Sequence, residues 1–130
     1  LLLLFLSLFQ IILGTRVREK VDVFMKSAFE APPRKEWILN LGDIFDFHRI
    51  FALLITGASI YLIFNIIKAS LEGTRRFALF FFMILITNLF SGSALYLFHF
   101  PSWAQPLHLL AGIMMATVCF QFIMRLSKIK

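Results

Sequence analysis

The sequence predicts an all-α membrane protein, a four-helix transmembrane bundle whose first helix is truncated at its start. Two observations carry that expectation. Of 130 residues, 60% are apolar and 15% charged, with a mean hydropathy of +0.86, whereas a soluble domain is nearer one half apolar and one quarter charged. Seventeen Phe and runs such as Phe77 to Ile86 would also need more buried volume than a soluble 15.1 kDa fold has.

The spans are expected at about residues 1–14, 48–68, 77–98 and 103–126, with 15–47 as an outer connector. The last three meet the requirement of about 20 helical residues for a hydrocarbon layer. The first is short, yet it opens on unbroken Leu and Phe. No basic segment precedes it and no small-x-small cleavage pattern follows, so it reads as the remainder of a helix rather than a signal peptide. Antiparallel spans with short connectors describe an up-down bundle, with every backbone polar group satisfied inside a helix.

The connector after the first span holds six of the seven acidic residues and six Lys or Arg, and Pro32-Pro33 interrupts it. Val17, Val21, Phe24 and Ala28 keep a helical period, as do Trp37, Leu41, Ile44 and Phe45, so two short helices are expected along the membrane surface. Gly42 weakens the second. The opposite face carries Lys68, Arg75 and Arg76, with Arg125, Lys128 and Lys130 in the tail, offset by Glu72. Basic residues number six on each face, but those of the second face crowd into short segments at helix ends. That density assigns the second face to the cytoplasm and the connectors 15–47 and 98–102 to the outside.

Charge and cysteine remove other classes. A net charge of +6 could serve nucleic acid, but the Lys and Arg lie between apolar spans rather than on one soluble face, so no nucleic-acid partner is expected. Cys119, alone inside an apolar run, forms no intrachain disulfide or thiolate cluster. The sequence has no phosphate loop, no HExxH and no Ser with a plausible His and Asp partner. Asp43 and Asp46 precede His48 in a charged outer loop and read as solvated.

Two histidines stand out. His48 begins the second span, and His108 lies about one turn inside the fourth. Both helices run in the same direction, so the two imidazoles reach a similar depth, and bundles build metal and cofactor sites from such facing side chains. Ala52, Thr56 and Ser59 follow His48 on its face, and Ala111, Gly112, Ala116 and Cys119 follow His108. Small residues alone only let membrane helices pack closely. Each histidine alone could equally be an interfacial hydrogen-bonding residue; as a pair heading both stripes, they are expected to leave a slot that could accept a flat porphyrin, with imidazole as iron ligand. Arg49 is placed to pair with a propionate, against simple snorkelling. His99, in the connector before Pro101, reads as a surface residue. Gln10 precedes Gly14 by four residues and Asn88 precedes Gly92 by four, a spacing shared by two hairpins in which an amide helix is followed by a histidine helix. Interhelical packing and amide hydrogen bonds explain the same spacing without any function.

The segments from Gln10 through Gly14-Thr15-Arg16-Val17-Arg18-Glu19, His48-Arg49, and Pro101-Ser102-Trp103-Ala104-Gln105-Pro106-Leu107-His108-Leu109-Leu110 resemble the C-terminal half of heme A synthase. That family is made of two fused four-helix bundles and oxidises a methyl group of heme O to the formyl group of heme A for cytochrome oxidase. The resemblance implies that His48 and His108 ligate the iron of a b-type heme, held as an electron-transfer cofactor, with Arg49 beside it. In the N-terminal bundle, a glutamate important for catalysis precedes the first histidine by three residues; here Phe45 stands at that position. This half is therefore expected to be inactive alone. Implied partners are the lipid bilayer, heme, the N-terminal bundle of the same protein, and heme O synthase or cytochrome oxidase assembly factors. The implied location is the bacterial cytoplasmic membrane, histidines toward the outer side. Some members pair cysteines in the outer connector; this sequence has none there. Two other classes compete: a stand-alone bis-histidine b-type cytochrome subunit, which would have no companion bundle upstream, and a structural bundle with no cofactor.

Overall fold

The computed structural model describes residues 1–27, 32–68 and 74–127, apart from the side chains of Thr74 and of residues 125–127. Every regular element among them is helical: α1 (Leu2–Lys26), a 3-10 turn (Arg34–Glu36), α2 (Trp37–Leu41), α3 (Asp43–Lys68), α4 (Thr74–Leu97) and α5 (Ala104–Ser127). Asp43–Lys68, Arg75–Leu97 and Ala104–Met124 are each long and apolar enough to cross a membrane. Their outward surfaces expose Leu53, Leu54, Tyr61, Phe64, Phe80, Met83 and Phe90, a coat that suits lipid and not water.

The four long helices form a ring: α1 packs against α3 and α5, and α4 packs against the same two. Small side chains sit where helices meet, with Ser59, Ser91, Ala78 and Ala104 fully buried. In lipid, close backbone approach rather than the hydrophobic effect holds helices together, and small residues allow it. Ser91 meets its hydroxyl's need locally by donating to the Thr87 carbonyl at 2.8 Å.

The helix expected over 17–28 is not a separate surface element. It is the second half of α1, which runs unbroken through Gly14 to Lys26; Ala28 lies outside the described residues. Ion pairs between Arg16 and Glu19 and between Arg18 and Asp22 line the exposed face of this half. Its buried face, Val17 and Val21, continues the inward stripe begun by Ser7 and Leu13. The second expected surface helix is divided. Gly42, at φ 66° and ψ −161°, ends α2 after Leu41, and Ile44 and Phe45 belong to α3. That backbone conformation is open almost only to glycine. Asp43 and Asp46 then occupy the first turn of α3, where carboxylates complement the helix dipole. Of the charges used for orientation, Glu72, Lys128 and Lys130 and the Arg125 side chain lie outside the described residues.

Between α4 and α5 the chain turns sharply. The Phe100 amide donates to the Leu95 carbonyl at 2.9 Å, with His99 at φ 54° and Phe100 at φ 62°, a left-handed closure of a helix end. This turn drives the Phe100 ring inward and leaves His99 exposed.

Two apolar clusters result. The inner one gathers Ile55, Ile63, Ile66, Phe81, Ile84, Leu85, Met115 and Val118. The outer one gathers Val17, Val21, Trp37, Leu41 and Phe100, with Phe24, Ile44, Phe45 and Leu95 against it.

Candidate functional site

Helices α1, α3 and α4 pass from one apolar cluster to the other and α5 runs into the inner one, and on each a polar group lies at the level between the clusters. On α1 it is Gln10, between Leu6 and Val17; on α3 His48, between Phe45 and Ile55; on α4 Asn88 and Ser91, between Leu85 and Leu95; on α5 His108, above Met115. The result is one polar layer enclosed by apolar packing on both sides. In such surroundings a buried polar group is stable only when partnered.

The two imidazoles meet in this layer. The ring centroids of His48 and His108 are 6.2 Å apart, with the planes inclined by 77°, although α3 and α5 stand across the ring of helices from each other. His108 Nδ1 lies 3.1 Å from the Asn88 carbonyl oxygen and 3.2 Å from Ser91 Oγ. A carbonyl can only accept, so Nδ1 donates and Nε2 carries the lone pair. His48 is held differently. The Gln10 amide nitrogen donates to the His48 carbonyl oxygen at 2.9 Å and stands 3.4 Å from Nε2. His48 Nδ1 and Gln10 Oε1 are buried and have no hydrogen-bond partner among the described residues.

The glycines found four residues after each amide face these rings. A Cβ at Gly14 would stand 3.3 Å from His48 Cε1, and one at Gly92 would stand 3.0 Å from His108 Cε1. The two hairpins thus repeat one arrangement, an amide helix whose glycine accommodates the histidine of the next long helix. The spacing hinted at this pairing; the residue missed was Ser91, whose role depends on how α4 faces α5.

The small-residue stripes lie inside the molecule, with Ser59, Ala111, Ala116 and Cys119 buried. Ser59 Oγ has no hydrogen-bond partner among the described residues. Arg49 sits at the outer edge of the layer, its guanidinium over the rings of Phe45 and Tyr96 at 5.7 and 5.2 Å, with Asp46 at 3.8 Å. Phe45 stacks on Tyr96 at 6.3 Å, which ties α3 to α4 at the same level. His99 is exposed and takes no part in the layer.

Among the described residues no group of three or more His, Cys, Asp or Glu side chains is placed to hold a metal ion. The donor set instead suits a metal that brings its other ligands with it, as heme iron does. The ring separation of 6.2 Å is compatible with two imidazoles sharing one metal, and it lies equally within the range of an edge-to-face ring contact.

The fold and this layer define an integral membrane protein of helices that brings two imidazoles together between apolar clusters. Sequence comparison supplies the family: the cytochrome oxidase assembly protein family, COX15-CtaA, matches residues 1–120. The chain belongs to that family, the heme A synthases, which are heme-binding oxidoreductases. Comparisons with curated proteins and with solved structures found no match.

Proposed function

We propose that this chain is the cofactor-heme half of a heme A synthase, a four-helix transmembrane bundle in which His48 and His108 would hold the iron of a b-type heme. It would support oxidation of the heme O methyl group to the heme A formyl group without performing that oxidation itself. The observation that carries the reading is the 6.2 Å approach of two imidazoles from helices on opposite sides of the ring. A heme bound there supplies reversible one-electron storage.

The chain's own residues have separate tasks in this reading. His108 presents Nε2 because Asn88 and Ser91 occupy Nδ1. The outer cluster of Trp37, Leu41 and Phe100 keeps water from the layer, and a dry surrounding is one of the protein's controls on redox potential. Arg49, already oriented by two aromatic rings, is the partner for a propionate. Phe45 in place of a carboxylate leaves this half without the group that the family resemblance links to catalysis. The oxidation then belongs to an N-terminal bundle of the same protein, and heme O synthase and oxidase assembly factors are its further partners. The histidine layer faces the outer side of a bacterial cytoplasmic membrane, with Lys68, Arg75 and Arg76 at the cytoplasmic end.

The test is spectroscopic. The full chain, purified in detergent and supplied with heme, should show a six-coordinate low-spin absorption and paramagnetic resonance spectrum. Neither His48→Ala nor His108→Ala should retain it, whereas His99→Ala should. Loss of the spectrum in His99→Ala alone, or its persistence in both other variants, would overturn the assignment.

A further inference from the structure

We propose that Gln10, Gly14, Ser91 and Gly92 are positioning residues for the two imidazoles: each glycine admits a histidine ring to a neighbouring helix, Ser91 orients the ring of His108, and Gln10 anchors His48. The inference rests on the bis-histidine reading above and adds how the ligands are set before any metal arrives.

The His108 side carries most of the argument. In a helix the amide of Gly92 pairs with the carbonyl of Asn88 one turn earlier. The His108 ring lies over that turn, with Nδ1 3.1 Å from the same carbonyl oxygen. Any side chain at position 92 would cover the approach, since even a methyl group would stand 3.0 Å from Cε1 and 3.4 Å from Nδ1. To admit it the ring would have to give by a few tenths of an ångström, which stretches its contact with the carbonyl. Ser91 completes the arrangement. Its hydroxyl hydrogen is used on the Thr87 carbonyl, so its oxygen is left to accept from Nδ1 at 3.2 Å. Both contacts need Nδ1 protonated, which leaves Nε2 as the only nitrogen able to bind a metal. Ser91 is fully buried, where a hydroxyl is retained at a penalty unless it is used.

The His48 side follows the same plan with a looser grip. Gly14 would bring a Cβ to 3.3 Å from Cε1, a milder conflict than at Gly92. Gln10 reaches across from α1 and anchors the main chain of His48 itself, donating to its carbonyl at 2.9 Å and standing 3.4 Å from Nε2, while Nδ1 of that ring has no partner among the described residues. An amide nitrogen can only donate, so the Gln10 contact at 3.4 Å favours the Nδ1-protonated form of His48 as well, but loosely; the tautomer of His108 is held by two closer contacts, whereas Gln10 chiefly fixes the main chain of His48. Glycines that merely let helices approach would not require that both face the Cε1 edge of a histidine, nor that each be preceded by an amide four residues earlier.

The test compares Gly92→Ala, Gly14→Ala, Ser91→Ala and Gln10→Leu with Gly57→Ala, whose Cβ would meet nothing within 4 Å. Two readouts are used on the full chain: nitrogen chemical shifts of the imidazoles without cofactor, which report the tautomer, and heme titration with paramagnetic resonance. Gly92→Ala should lower heme affinity by about 10- to 100-fold, the range for losing an outer partner of a ligand, and shift the low-spin signal. Ser91→Ala should reduce the Nδ1-protonated fraction of His108, with a smaller loss of affinity. Gly14→Ala and Gln10→Leu should change the low-spin signal without altering the His108 tautomer. Gly57→Ala should do neither. A low-spin spectrum in the unaltered chain with all four variants matching Gly57→Ala would overturn the positioning roles and leave the heme reading standing. An unaltered chain that takes up no heme would overturn that reading, and His108 found in the other tautomer would overturn the Ser91 and Gly92 assignment. If Gly92→Ala does not fold, Ser91→Ala decides by the tautomer measurement, an unchanged ratio counting against the proposal.

Discussion

Replacing Gly42 with alanine should loosen the end of the molecule that carries α2 while leaving the helices beneath it in place. Gly42 holds φ 66° and ψ −161° between Leu41 and Asp43, a combination that costs a residue with a side chain about 1–3 kcal/mol. No steric term adds to this, because among the described residues the new methyl group would meet nothing nearer than Lys20 Nζ at 3.9 Å. The penalty falls on the state in which α2 is docked, with Trp37 and Leu41 buried against Val21 and Phe100. If the chain relieves the strain by releasing α2, the population of the released state rises roughly 5- to 150-fold, at about 1.4 kcal/mol per factor of ten. Hydrogen exchange reports this directly. The amides of α2 and the Trp37 indole, which donates to the Pro32 carbonyl at 2.8 Å, should exchange faster by that factor, while amides in the middle of α3 and α4 should not change. Gly57→Ala, in an exposed stretch of α3, should give no such acceleration, since alanine favours a helix by about 1 kcal/mol over glycine. Equal exchange at Trp37 in the two variants would refute the reasoning.

Two further substitutions test the packing. Phe81→Ala empties a site that is 1% exposed in the inner cluster; the loss should fall toward the lower end of about 3–5 kcal/mol, because lipid solvates an apolar ring nearly as well as a protein interior does. Denaturation by detergent should show it, with Phe80→Ala, at a position 51% exposed, changing the midpoint much less. Arg49→Lys keeps the charge but gives up the planar group over Phe45 and Tyr96; a double-mutant cycle with Tyr96→Leu should return a coupling of about 0.5–1 kcal/mol, and a coupling of zero would mean that the ring contact contributes nothing.

Much of this arrangement could be read from residue order. The length and apolarity of three spans follow from hydropathy, and the level of His48 with His108 follows from two helices running the same way. The amide-to-glycine spacing at Gln10 and Asn88 was visible too, but not its use. In a sequence, Gly14 is a plausible helix end, because glycine is a poor helix residue; in the structure its missing side chain serves a neighbouring ring, and the helix continues because Val17 and Val21 find partners in Trp37 and Phe100. Those partners come from residues distant in the chain, so no local pattern announces them. Ser91 was hidden for a similar reason. One serine among small residues looks like packing until the rotation of α4 against α5 is known. Gly42 was noticed only as a weak point, whereas its positive φ is what separates α2 from α3 and sets where α3, and with it His48, begins.

The continuity of α1 has a mechanical consequence. Between Gln10 and Val21 the helix never leaves its regular path, so about 16 Å of rod joins the histidine layer to the roof above it. A force that tilts the roof, whether from a docking protein or from lipid headgroups, therefore arrives at the His48 carbonyl as a displacement of the Gln10 amide, undamped by any intervening joint.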